Sequence, residues 1–333
     1  MKRQVYIFFG ILLIVLIISC KKSKKQKFDS NFLREIKVSS NGYISDISID
    51  SNDNLWFSNL TNSVIGKVNG DIVISKKGKG PGELMYPLRI NFFNNRLFIL
   101  EANINRISLF DKTGKFLNSY SIDYNPYDIT KVKNNYLLSY RSGLATKNNY
   151  IDLYKLDVKS DITENYLTVE KVPPQDEAIL YRAIIERINN KIVIGLGNPQ
   201  MKIMLYKKDE NKIKKEKEIT RENNYNYMRP KNNPTERKLD YLSAISDIAT
   251  DKINKLIFVA ESKGSTNYIK KSKFFPKISV YNTEGKYLGF IQDKRIKNSF
   301  KNSNGIKLAC NAKKRKLYLL IMRKNAEIYV YEY

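Results

Sequence analysis

The chain has 333 residues and no histidine. That absence excludes Ser-His-Asp and Cys-His triads, histidine general bases and His-ligated zinc. Cysteine is nearly absent too. Cys20 and Cys310 are the only two, too few for a thiolate metal site. Acidic side chains are in deficit, 33 against 59 Lys and Arg, giving a formal charge of +26. A basic excess of this size points toward acidic partners such as lipopolysaccharide, acidic glycans or nucleic acid. The abundance of Lys, Asn, Ile and Tyr also fits AT-rich codon usage, a bland source of the same charge. Long apolar runs are missing: the longest, Val5 to Ile18, falls short of the roughly 20 residues that span a bilayer. No long segment carries a helical period.

What is present begins at the N-terminus. Met1-Lys2-Arg3 precedes the apolar run, the pattern of a signal peptide. The run ends in Ile17-Ile18-Ser19-Cys20, which resembles the bacterial lipobox. The resemblance implies removal of residues 1–19 and lipidation (palmitate) of Cys20 as the new N-terminus; the alternative is an uncleaved anchor helix. Lys21 to Lys27 cannot bury apolar surface, so residues 20–31 are expected to form a flexible tether. Its lysines suit anionic head groups, at about 1 kcal/mol each near a membrane surface, or serve as a solvated spacer. With Cys20 acylated, Cys310 stands alone and the exported domain has no internal disulfide. Its stability must then come from a buried core.

Internal repeats organise the rest. Ile44-Ser45-Asp46-Ile47, followed by Asp50 and Leu55-Trp56-Phe57, aligns without gaps on Ile245-Ser246-Asp247-Ile248, Asp251 and Leu256-Ile257-Phe258. Ile306 to Leu320 is a third copy with one extra turn residue. Each reads as two strands around a polar turn. A second unit, Arg106 to Leu117, matches Lys277 to Leu288, with apolar alternation on both sides of a Gly turn: a hairpin. Val64 to Ile74 is a related hairpin turning at Asn69-Gly70. Two hairpins in roughly 40–60 residues make one four-stranded propeller blade. Residues 32–333 divide into six, at about 43–87, 88–126, 127–174, 175–238, 239–300 and 301–333. The last has room for three strands, so Phe32 to Val38 is expected to supply its outer strand and close the ring. In the fourth, Lys207 to Lys217 reads as an overlong exposed hairpin tip, and Asn223 to Lys238 as a loop. The expected fold is all-β, a six-bladed β-propeller.

Gly78-Lys79-Gly80-Pro81-Gly82-Glu83-Leu84-Met85-Tyr86-Pro87 resembles the G-x-G-P-G-E-F-x-x-P signature of six-bladed β-propeller lipoproteins related to NHL-repeat propellers. Leu84 stands where that family prefers Phe. The resemblance covers essentially the whole mature chain. It implies that Gly78, Gly80, Pro81, Gly82, Glu83 and Pro87 join one blade to the next, and that the protein sits in the cell envelope, at the outer membrane. It implies no chemistry.

Candidate site residues follow from the alignment. Asp46, Arg89, Asp128, Asp247 and Lys307 fall at the start of inner strands, facing the central channel. They could hold a cation or polar ligand, or compensate one another's charge; the second reading is preferred. Asp50 to Asn54 superficially suggests a calcium loop, but Leu55 and Thr61 occupy the glycine and glutamate positions of that pattern. Gly195-Leu196-Gly197-Asn198-Pro199 is no dinucleotide fingerprint, since no helix follows. No catalytic residue, metal or cofactor is expected. The favoured role is an envelope binding or scaffold module for a protein or glycan partner, acidic given the chain's charge, with membrane contact through Cys20. Nucleic acid is not an expected partner. The alternative is a lactonase- or lyase-like propeller enzyme with a metal in its channel.

Overall fold

The computed structural model describes residues 27–38, 41–68, 70–74, 76–124, 126–132, 135–140, 150–158, 162–171, 183–196, 201–209, 212–220, 244–262, 276–296, 305–323 and 325–333. Cys20, the 1–19 segment and the Asn223–Lys238 loop lie outside them.

Among the described residues, six four-stranded antiparallel sheets contain all the strands. Five are built from consecutive strands. The first blade is β2 (Ile44–Ile49), β3 (Leu55–Asn59), β4 (Val64–Lys67) and β5 (Ile72–Ile74); the second is β6 (Pro87–Phe93), β7 (Arg96–Glu101), β8 (Arg106–Asp111) and β9 (Phe116–Ser121). The third holds β10 (Pro126–Val132), β11 (Asn135–Tyr140), β12 (Tyr150–Asp157) and β13 (Ile162–Lys171). The fourth holds β14 (Ala183–Ile188), β15 (Lys191–Leu196), β16 (Lys202–Asp209) and β17 (Lys212–Thr220). The fifth holds β18 (Ala244–Asp251), β19 (Leu256–Ser262), β20 (Lys277–Asn282) and β21 (Tyr287–Ile291). The sixth takes β22 (Ile306–Asn311), β23 (Lys316–Ile321) and β24 (Glu327–Glu332), completed by β1 (Asn31–Lys37). β1 pairs with β24 from Asn31↔Glu332 to Lys37↔Glu327, with one irregularity between Phe32 and Arg34. Inner strands pack in a ring: β2 on β6, β6 on β10, β10 on β14, β14 on β18, β18 on β22, and β22 back on β2.

The core is six clusters, each lying between neighbouring blades. Because a blade is covered on both faces, its strands read as near-continuous apolar runs rather than alternating ones. β7 shows why. Leu97 and Ile99 point one way, to pack with Trp56, Ile65, Ile74 and Leu84 of the first blade and the crossing that follows it. Phe98 and Leu100 point the other way, toward Ile129 and Leu156 of the third. The period-two side-chain alternation of a strand thus serves two cores at once.

The structure differs from the sequence reading at Lys207 to Lys217. The β16–β17 ladder continues to Asp209↔Lys212, so the charged run belongs to paired strands and not to an overlong tip. β17 is the outermost strand, exposed over Lys214–Glu218, where charge is compatible with pairing and protects an edge.

Candidate functional site

Inner strands position the channel residues, and a β-bulge aims most of them. Register shifts fall between Ile44 and Asp46, Pro87 and Arg89, Pro126 and Asp128, and Ile245 and Asp247. One extra residue at each place rotates the next side chain out of the ladder's alternation. β14 pairs with β15 without a shift.

All five sequence-derived channel residues meet at the axis. The Arg89 guanidinium donates from Nε to Asp128 Oδ1 at 2.8 Å, from one terminal nitrogen to Asp46 Oδ1 at 3.0 Å, and from the other to Asp247 Oδ1 at 2.8 Å. Lys307 Nζ lies 3.6 Å from Asp247 Oδ1. All five side chains are buried. The second oxygen of each aspartate accepts a backbone N–H from the next blade: Asp46 from Ile90 at 2.9 Å, Asp128 from Ile185 at 2.9 Å, and Asp247 from Leu308 at 2.7 Å. Blades one, three and five supply the carboxylates; blades two, four and six supply the N–H groups. The positions matching Arg89 and Lys307, one before the donor, fall on Ile184 in the fourth blade.

Electrostatics follow from this geometry. Burial opposes Arg89's charge, but Asp128, Asp247 and Asp46 outweigh it and hold the guanidinium well above its ordinary value. Burial pushes the Asp46 carboxyl up to about 6, against the pull of Arg89 and Lys307. A cation already occupies the centre of the carboxylate triangle, and it is covalently part of the chain. Among the described residues no group of three or more His, Cys, Asp or Glu side chains is arranged to hold a metal ion.

Above this hub, toward the C-terminal ends of the inner strands, opens a cavity of about 620 Å³. The hub forms its floor. Ser48, Asn91, Thr130 and Glu186 line its walls, and Lys131, Arg187 and Lys252 stand farther out. Sequence reasoning missed these last four. Burial pushes the Glu186 carboxyl up to about 8, Asp128 adds to the effect, and Lys252 opposes it. Burial also lowers Lys131 below the usual lysine value, helped by the nearby charges of Arg187, Arg96 and Lys252. A carboxyl whose pKa burial raises, set in a cavity also lined by Lys131, Arg187 and Lys252, is the kind of perturbed group that marks functional sites.

The family motif lies away from the cavity, in the crossing from β5 to β6. Leu84 N donates to Lys76 O at 2.8 Å and Gly78 N to Leu84 O at 3.0 Å. Gly80 N donates to the Glu83 carboxylate at 2.9 Å. Arg106 holds the loop through the carbonyls of Lys79 and Glu83, while its guanidinium grips the buried Glu101 from two nitrogens. A Cβ on Gly78 would come within 2.0 Å of Glu83 Oε2. Pro87 O accepts the Ser45 hydroxyl at 2.7 Å, tying the crossing to the first blade. The Asp50 turn is equally closed: its carboxylate accepts from Asn52 N, Asn54 N, Asn54 Nδ2 and Trp56 Nε1, each at 2.9 Å.

Six radial sheets around a sealed polar axis define a six-bladed β-propeller. Residues 69–316 match the family described as 6-bladed beta-propeller, DUF5128, and the chain belongs to it. Its fold is similar to a solved member of the DUF4221 family from Bacteroides vulgatus, at 15% identity and a TM-score of 0.62, covering 92% of this chain and 98% of that one. It is also similar to Kuenenia stuttgartiensis hydrazine synthase, at 9% identity and a TM-score of 0.53, covering 86% and 82%. At these identities the likeness concerns the fold alone. No curated protein matches the sequence.

Proposed function

We propose that this propeller is a lipid-anchored envelope protein, held at the outer membrane through Cys20, that works by binding a glycan or protein partner and not by catalysis. The observation that supports this is the saturation of the axis. Each aspartate there has one oxygen on Arg89 and the other on a backbone N–H. None is left with an open pair of oxygens for a divalent cation, which needs several oxygen ligands at once. Asp128, the carboxylate whose charge acts most on Glu186, is one of these, so it cannot serve Glu186 as a partner base. A lone protonated carboxyl can orient a ligand but lacks the second carboxylate of a glycoside hydrolase pair.

Calorimetry with Ca²⁺, Mg²⁺ and Zn²⁺ is the direct test, together with a screen of lactone and ester substrates. The expected result is no stoichiometric metal and no turnover sensitive to Asp46→Ala or Asp247→Ala. A stoichiometric metal with carboxylate-dependent turnover would move the protein to the enzyme class. Mass spectrometry of the mature protein should find diacylglyceryl mass on Cys20, lost in Cys20→Ala. An unmodified Cys20 would sink the anchoring half of the reading.

A further inference from the structure

We propose that the cavity above the hub is a binding site for a carboxylate-bearing sugar, a uronate unit of an acidic glycan, held by Glu186 on the wall and by Lys131, Arg187 and Lys252 farther out. This rests on the binding reading above and narrows it to one ligand class.

Size comes first. A cavity of about 620 Å³ falls among those that enclose small ligands, roughly 300–1,000 Å³. A protein partner instead covers a broad surface, about 800 Å² on each side. A concave pocket whose floor is a buried ion cluster suits a ring, or two, better than a protein face.

Lining chemistry comes second. The walls carry small neutral hydrogen-bonding groups, the Ser48 and Thr130 hydroxyls and the Asn91 amide, whose Nδ2 donates to Ile129 O at 3.2 Å. These match sugar hydroxyls, which both donate and accept. Aliphatic and aromatic side chains, Ile49 and Phe92, complete the wall.

Charge decides the class of sugar. Lys131, Arg187 and Lys252 come from three different blades and line the same cavity; burial first, then the charges of Arg187, Arg96 and Lys252, lower Lys131's affinity for its proton. Arg187 keeps its terminal nitrogens for a ligand while its Nε donates to Asn189 O at 2.8 Å, and three cations at one cavity attract an anion whose carboxylate accepts strong charge-assisted bonds. Deeper in, the charged groups around Glu186 are Asp128 from β10, Asp247 from β18 and Lys252 from the turn after β18. Its Oε2 accepts from Arg187 N at 3.1 Å. Burial raises the Glu186 pKa to about 8, which favours a protonated carboxyl able to donate to a ligand carboxylate where an ionised glutamate would repel it. Above pH 8 that proton leaves and the two negative charges face each other. Binding of a uronate in alkaline solution must therefore be coupled to proton uptake at Glu186.

Calorimetry on the purified full-length protein tests this with three probes: tri-galacturonate, neutral galactotriose and sulfate. Tri-galacturonate should bind about tenfold or more tightly than either of the others at pH 7 and low salt. Its affinity should fall steeply above pH 8. Lys252→Ala, at an exposed turn position, should weaken binding about fivefold. Glu186→Gln keeps a neutral donor in place, so it should bind normally at pH 7 and lose most of the alkaline decline. Equal affinity for galactotriose, equal affinity for sulfate, absence of tri-galacturonate binding, or an unchanged alkaline decline in Glu186→Gln would each overturn the site. Cleavage of tri-galacturonate, seen by chromatography, would overturn the non-catalytic reading while leaving the site standing. Neither binding nor cleavage would overturn the site alone.

Discussion

A guanidinium whose three nitrogens each hold a different carboxylate has no substitute among the other side chains. Lysine brings the charge but a single nitrogen and no planar fork. Replacing Arg89 by Met would leave Asp46, Asp128 and Asp247 buried around an apolar group, and breaking a buried pair from one side costs about 3–5 kcal/mol. Urea titration should show a loss of that order for Arg89→Met. A partial loss is expected for Arg89→Lys. If Arg89→Met unfolded at the wild-type midpoint, the hub would have no structural weight. Glu186 gives a prediction of opposite character. Its folded pKa, about 8, lies above the ordinary value, so between about pH 4.5 and 8 the folded state binds more protons than the unfolded one. Stability must then fall as pH rises through that window and level off above it. Asp46, raised to about 6, adds a smaller decline of the same sign between about 4 and 6. Glu186→Gln should be nearly neutral at pH 5. At pH 9 it should be more stable than wild type, by about 2 kcal/mol once contact with cavity water is allowed for. Thermal melts at the two pH values would show it. A difference that is the same at both would mean the carboxyl titrates normally.

Two elements concentrate the remaining risk. The motif crossing between β5 and β6 leaves no space beside Gly78, where a methyl group would meet the Glu83 carboxylate. That carboxylate also accepts from Gly80 N. Gly78→Ala should therefore push the Glu83 carboxylate aside and break its bond from Gly80 N, at a cost of about 1 kcal/mol; Glu83→Gln in the same background would not restore it. β1 is the other element. Deleting Asn31–Lys37 bares the whole of β24, and an open edge strand is a template for pairing with other chains. Light scattering should reveal oligomers in that variant. A monomer of wild-type stability would mean that the edge is harmless. Both elements were legible in the sequence, the first through its resemblance to the propeller-lipoprotein signature, the second from a strand-like segment left over after the blades were counted. The fourth blade was less so. Its inner strand lacks both the bulge and the aspartate, carrying Ile184 where the alignment offered charge elsewhere, and its outer hairpin hides an ordinary ladder inside a lysine-rich stretch.

Across the whole molecule, what could be read in advance was whatever repeats. Asp46 and Asp247 emerged because Ile-Ser-Asp-Ile recurs at one strand position, and Arg89, Asp128 and Lys307 because aligned inner strands put them at the same place. Lys131, Arg187 and Lys252 did not, because they sit near strand ends in a chain with 59 basic residues, where one more lysine carries no signal. Their convergence exists only after six blades are wrapped around an axis. The basic balance also has a solution consequence. Association with an acidic polymer should weaken as salt rises from low concentration through about 0.15 M, where the screening length falls to about 8 Å; salt-independent binding would place the contact off the basic surface. The hub carries one further implication. Its carboxylates reach forward one blade each, joining first to second, third to fourth and fifth to sixth. Such linking in twos has a parity. A ring of five or seven would leave one blade without its counterpart and one buried aspartate or backbone N–H unanswered. Gene duplication or loss of a single blade would thus be penalised at the axis even where the outer strands could adjust, whereas change by two could preserve the arrangement.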